Sequence, residues 1–111
     1  MKTYAGTKQN EGIGAQVVTV NGKRLWNECQ SICNHSPDGF NWGYAGSGPA
    51  QLALAILFDY FGDARKAEIL HQAFKFAFVS RFKDNWELTG DEIEAWLAEN
   101  KGEFDKQLGE D

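Results

Sequence analysis

Phe40, Trp42 and Tyr44 recur at every second position inside the segment Asn34 to Gln51, separated by small or polar residues. In an extended backbone that spacing places all three rings on one side. A tryptophan or tyrosine ring has a flat apolar face and a polar edge. Such a wall can stack a planar ligand such as a nucleobase, or it can pin a loop onto the core. Immediately afterwards, Gly46-Ser47-Gly48-Pro49 opens an apolar stretch. Small residues let a ligand approach the backbone, and the first N–H groups of a helix favour an anion. Ser47 can donate to a phosphate there, or it can cap the helix with no ligand present. The run is not a Walker A motif, because no lysine follows the second glycine. It is not a dinucleotide fingerprint, because no strand of a βαβ unit precedes it. Asn34, His35, Ser36 and Gln51 are the polar members of the same candidate site.

Other chemistry is less well supported. Cys29, Cys33 and His35 form C-x3-C-x-H, a set of soft ligands able to hold zinc if a fourth ligand were supplied. The only other histidine is His71, in the middle of an expected helix. No metal and no cofactor are therefore expected. Ser36, Ser47, Cys29 or Cys33 can be paired on paper with His35 or His71, and Asp38 with His35, but nothing fixes their spacing. No catalytic residue is assigned. A small hydrolase or transferase centred on His35 stays open as an alternative.

The elements that must carry these residues follow in three zones. Ala15-Gln16-Val17-Val18-Thr19-Val20, then Asn21-Gly22, then Lys23-Arg24-Leu25-Trp26 is a hairpin signal, because a type I′ turn needs positive φ at both central residues. Thr3-Tyr4-Ala5 adds a short third strand. Residues 27–48 form a long Gly-rich and aromatic loop. Three helices then follow. Pro49 to Phe61 is apolar on nearly every side and reads as buried. A second helix runs from about Asp63 to Phe82 and is the most basic element, with Arg65, Lys66, Lys75, Arg81 and Lys83. The third starts at Thr89, with Glu92 completing a capping box, and ends near Lys101-Gly102. The expected fold is α+β, one domain over residues 1–102 with a polar C-terminal tail, 103–111, that frays.

The formal net charge is −5, which makes general binding to phosphate backbones unfavourable. The acidity concentrates after Asp91, so the third helix and tail can serve as a docking surface for a basic partner. The apolar run ending at Phe61 is too short for a membrane span, and no apolar leader opens the chain. The two cysteines then read as free thiols of a cytoplasmic protein.

The run from Asn34-His35-Ser36-Pro37 through Gly39-Phe40, Trp42-Gly43-Tyr44 and Gly46-Ser47-Gly48-Pro49-Ala50-Gln51 to Ala55 resembles a family signature. That signature is close to N-H-S-P-x-G-F-x-W-G-Y-x-G-S-G-P-A-Q-L-A-L-A. It belongs to a small family of bacterial and phage proteins known as a domain of unknown function. Tyr4-Ala5-Gly6, the Val18–Gly22 hairpin, Trp86–Thr89 and Ile93–Leu97 resemble its two ends. The resemblance implies a bacterial or phage accessory protein and implies no activity. Cys29 and Cys33 stand outside the signature, which weighs further against zinc. A non-enzymatic binding protein is the expected function. Its partner would be a host protein or a small nucleotide-like anion, held by the 34–51 loop.

Overall fold

The computed structural model describes residues 2–26 and 39–109. Asn34, His35, Ser36, Asp38, Cys29 and Cys33 lie outside the described residues.

Asn21 and Gly22 have φ of 50° and 81°, the pair of left-handed residues that a two-residue I′ loop requires. They join β2 (Val18–Val20) to β3 (Lys23–Arg24), with Val20 opposite Lys23. The loop also anchors β1 (Thr3–Thr7): the Thr3 N–H donates to Asn21 Oδ1 at 2.8 Å, and the Asn21 N–H donates to Thr3 O at 2.8 Å. A fourth strand, β4 (Asn85–Thr89), pairs with the other side of β1. All neighbours are antiparallel and the order is β3-β2-β1-β4. The sequence predicts two or three strands and no strand over residues 85–89, where Trp86 and Leu88 are buried while Asn85 and Glu87 are exposed. That alternation spans five residues, and its partner strand lies at the other end of the chain.

The helices supply the second layer. α1 (Ser47–Phe61) buries every residue from Gly48 to Leu57, as its all-round apolar character requires. Gly62 ends it in the left-handed conformation, its N–H donating to Phe58 O at 2.8 Å. Asp63 caps α2 (Ala64–Ala77) by accepting from the Lys66 N–H at 3.1 Å. α2 was expected to reach Phe82. It stops at Ala77 because Phe78 leaves helical geometry at φ −126°, and a 3-10 turn covers Val79–Arg81. α3 (Gly90–Glu99) carries the expected capping box between Thr89 and Glu92. The expected tail is instead helical as far as Leu108: α4 (Lys101–Leu108) buries Phe104 and Leu108. Among the described residues there are thus four α-helices on a four-stranded sheet, and the architecture is α+β. Among the described residues no helix is long and apolar enough to cross a membrane.

One hydrophobic cluster joins both layers, from Tyr4, Val18 and Leu88 on the sheet to Leu54, Leu70, Phe74 and Trp96 on the helices. Gly6 shows how tightly the layers close. A Cβ there would lie 2.7 Å from Trp86 Nε1 and 2.9 Å from Trp42 Cη2, so the two indoles occupy the space a side chain would need. At the rim of the cluster the Tyr4 hydroxyl donates to Asp59 Oδ2 at 2.6 Å, and Lys2 Nζ donates to the same oxygen at 3.0 Å.

Burial, and then the adjacent Asp59 carboxylate, push the Tyr4 phenol well above its ordinary value. The neutral phenol is therefore favoured in the folded chain. Its stabilisation is fully present below the unfolded value of about 10 and is lost as pH rises beyond it, at up to about 1.4 kcal/mol per pH unit. Tyr60 contributes in the same direction, pushed up to about 12 by burial and by its hydrogen bond to Glu94. Urea unfolding across a series of alkaline pH values should show stability falling with pH. Tyr4→Phe should remove about half of that slope, Tyr60 keeping the rest. An equal slope in the variant would mean that Tyr4 ionises freely in the folded chain.

Candidate functional site

Residues 39–46 are fastened at both sides before α1 begins. The Gln16 N–H donates to Phe40 O at 2.9 Å, and Asn41 Nδ2 donates to Gly12 O at 3.1 Å. Asn41 Oδ1 accepts from the Trp42 N–H at 2.9 Å and from Lys8 Nζ. Lys8 Nζ also donates to Trp42 O at 2.9 Å. On the other side, Trp42 Nε1 donates to Lys83 O at 2.9 Å, and the Gly43 N–H donates to Val79 O at 3.0 Å. Residues 39–46 are therefore tied to the segment between β1 and β2 and to the turn after α2.

The three aromatics do not share one side. Phe40 and Trp42 are core residues, with 5% and 1% of their surface exposed. Gly43 adopts φ 88° and breaks the extended run, so Tyr44 leaves the alternation and is 48% exposed. Neither Phe40 nor Trp42 offers an open face for stacking, and Tyr44 is the ring that faces solvent. Gln51, another expected site residue, is fully buried within α1.

Tyr44 lies across the first turn of α1. A Cβ on Gly46 would meet Tyr44 Cε2 at 2.6 Å, and one on Gly48 would meet Asn41 Cβ at 2.9 Å and the Tyr44 hydroxyl at 3.1 Å. The glycines are thus the complement of the tyrosine. The cap of α1 is Gly46, with no side-chain hydrogen bond, and Ser47 is the first helical residue. The expected cap by Ser47 is displaced by one position, because the Ala50 N–H donates to Gly46 O at 3.0 Å and so opens the helix there. By position, the Ser47 and Gly48 N–H groups have no carbonyl within α1, and Pro49 has no N–H at all. The Ser47 side chain is exposed.

Two recesses meet at Asn41 and Tyr44. One, of about 230 Å³, runs over Gly39, Ser47 and Gly48. The other, of about 660 Å³, reaches Lys8, Glu11, Asp84 and Asn85. The Lys8 ammonium sits 4.9 Å from the Trp42 ring centroid and 6.0 Å from that of Tyr44. Its partial burial lowers its pKa, and the charge of Asp84 acts in the opposite direction. Lys8 and Asn41 were not among the sequence candidates. Asn41 lay between two aromatics and had a positional signal. Lys8 had none, since only the fold brings it to Asn41.

His71, the other histidine considered for catalysis or metal, is buried in α2 with Nδ1 2.5 Å from Glu68 O. Among the described residues no three His, Cys, Asp or Glu side chains gather as a metal site.

A model of a family of unknown function, DUF6166, matches residues 4–99. No curated protein and no solved structure matches the chain. The matched span takes in every element from β1 to α3 and both sides of the Tyr44 recesses, and the chain belongs to the DUF6166 family.

Proposed function

We propose that this is a non-enzymatic binding protein, an accessory protein of bacterial or phage origin, that holds a small planar anion of nucleotide-like chemistry at Tyr44. Support comes chiefly from the half-exposed Tyr44 ring, which lines two recesses, one of them reaching Ser47 and Gly48 in the first turn of α1. A base would stack on the open face of Tyr44, and its anionic group would take the N–H groups of Ser47 and Gly48 and the Ser47 hydroxyl. The Lys8 ammonium adds a cation 6.0 Å from the Tyr44 ring centroid. Phe40, Trp42 and Gln51 serve by holding the loop and helix in place. In a phage, such a protein would sequester a nucleotide or occupy a host protein that presents one.

The test is titration of the full chain with adenosine monophosphate, followed by backbone amide shifts. Shifts should centre on residues 44–48, and Tyr44→Ala should weaken binding about tenfold or more, since one base–aromatic stack contributes about 1–3 kcal/mol. Inorganic phosphate should compete weakly. If the nucleotide binds equally well to Tyr44→Ala, or produces no shifts at residues 44–48, the proposal is wrong.

A further inference from the structure

A separate recess lies where β3 meets the C-terminal half of α1, about 12–18 Å along the helix from Ser47 at 1.5 Å per residue. Its floor is apolar, formed by Val20, Leu25, Ala55 and Phe58, and it encloses about 290 Å³. Trp26 forms a wall with 61% of its surface exposed. Arg24 Cζ lies over that indole, 4.4 Å from the ring centroid.

The charges at the rim are unequal. Asp59 is matched by Lys2 Nζ at 3.0 Å and receives the Tyr4 hydroxyl at 2.6 Å. Arg24 has no carboxylate partner among the described residues. The unmatched charge of the recess is therefore the guanidinium. A guanidinium lying over a ring keeps its in-plane N–H donors available, and their fork fits a carboxylate through two parallel hydrogen bonds. Along the sequence, residues 12–26 contain Lys23 and Arg24 and no acidic side chain, in a chain whose net charge is −5, and the one acidic residue lining the recess is the Lys2-paired Asp59.

We propose that this recess binds a carboxylate carried on a small apolar body. The carboxylate would pair with Arg24, and the body would lie on Val20, Leu25 and Phe58 beside Trp26. Two sources present that chemistry: a free aryl or alkyl carboxylic acid, and the C-terminus of a peptide ending in an apolar residue.

The experiment titrates the full chain with hydrocinnamate, with N-acetyl-Gly-Gly-Phe, and with the C-terminal amide of that peptide. The readout is the amide signals of Arg24 and Leu25 and the indole N–H signal of Trp26. At least one carboxylate should saturate these signals, with Kd of about 1 mM or tighter, and the amide should not. Hydrocinnamate binding at least as tightly as the peptide assigns the free acid; the peptide binding more tightly assigns the chain terminus. Arg24→Gln should weaken binding about tenfold, and Arg24→Lys, which keeps the charge and loses the fork, about threefold. Arg24 is exposed on a two-residue edge strand, so both variants should keep the wild-type Tm. The proposal is overturned if neither carboxylate moves these signals, if the amide binds equally well, or if Arg24→Gln binds as wild type does.

Discussion

Trp42→Ala should destabilise the fold by about 3–5 kcal/mol, a large part of the roughly 5–15 kcal/mol available to a domain of this size. Trp42 is 1% exposed and meets Trp86 edge to face, with centroids 5.7 Å apart and planes at 78°. Its indole also fills the space left by the missing side chain of Gly6. Truncation opens a cavity between the sheet and the 39–46 loop and removes the hydrogen bond to Lys83 O. The two tryptophans can be told apart. Trp42→Phe loses a hydrogen bond, whereas the Trp86 Nε1–H is buried without a partner and Trp86→Phe loses none. Trp42→Phe should therefore cost about 1 kcal/mol more than Trp86→Phe. Urea unfolding followed by circular dichroism measures all three variants. Wild-type stability in Trp42→Ala would place that ring outside the core. The distinction bears on function too. Lost binding in Trp42→Ala would report a damaged scaffold, and only Tyr44→Ala in a folded chain reports stacking.

Where local chemistry fixes the backbone, the sequence was readable. Asn21-Gly22 admits few conformations other than a hairpin loop. Thr89 and Glu92 satisfy each other's backbone N–H groups and so mark a helix start. The apolar run of α1 has no polar face to turn to solvent. Features set by distant contacts were not readable. β4 becomes a strand because β1 lies beside it, and its five residues carry too little pattern to declare it alone. The aromatic alternation was genuine as far as Trp42. Its extension to Tyr44 overlooked Gly43, whose left-handed conformation is fixed by the hydrogen bond to Val79 O. The same break separates a scaffold pair, Phe40 and Trp42, from the one ring that faces the recesses. Lys8 and Asn41 meet across 33 positions, and no spacing rule announces such a pair.

Phe104→Ala should also cost about 3–5 kcal/mol, although Phe104 lies in what reads as a charged tail. Between Lys101 and Asp111 the only large apolar residues are Phe104 and Leu108, four apart and so on one side of a helix. Two such residues make a stripe too narrow to stand out against the surrounding charges, yet each is 6% exposed. Phe104 packs on Trp96 with centroids 4.8 Å apart, and Trp96 in turn meets Phe74 at 5.3 Å and Phe78 at 5.9 Å. Arg65 Nη2 donates to Leu108 O at 3.0 Å and ties the end of α4 to the start of α2. Removing the Phe104 ring opens one side of an aromatic cluster that α2 and α3 share. α4 lies beyond residue 99, where the family match ends. Amide exchange across residues 101–108 should be slow in the wild type and fast in Phe104→Ala, and chain truncation after Asn100 should reproduce the loss of stability. A loss below about 0.5 kcal/mol, the range of ordinary surface substitutions, would mean that α4 lies on the core without being part of its cooperative unit.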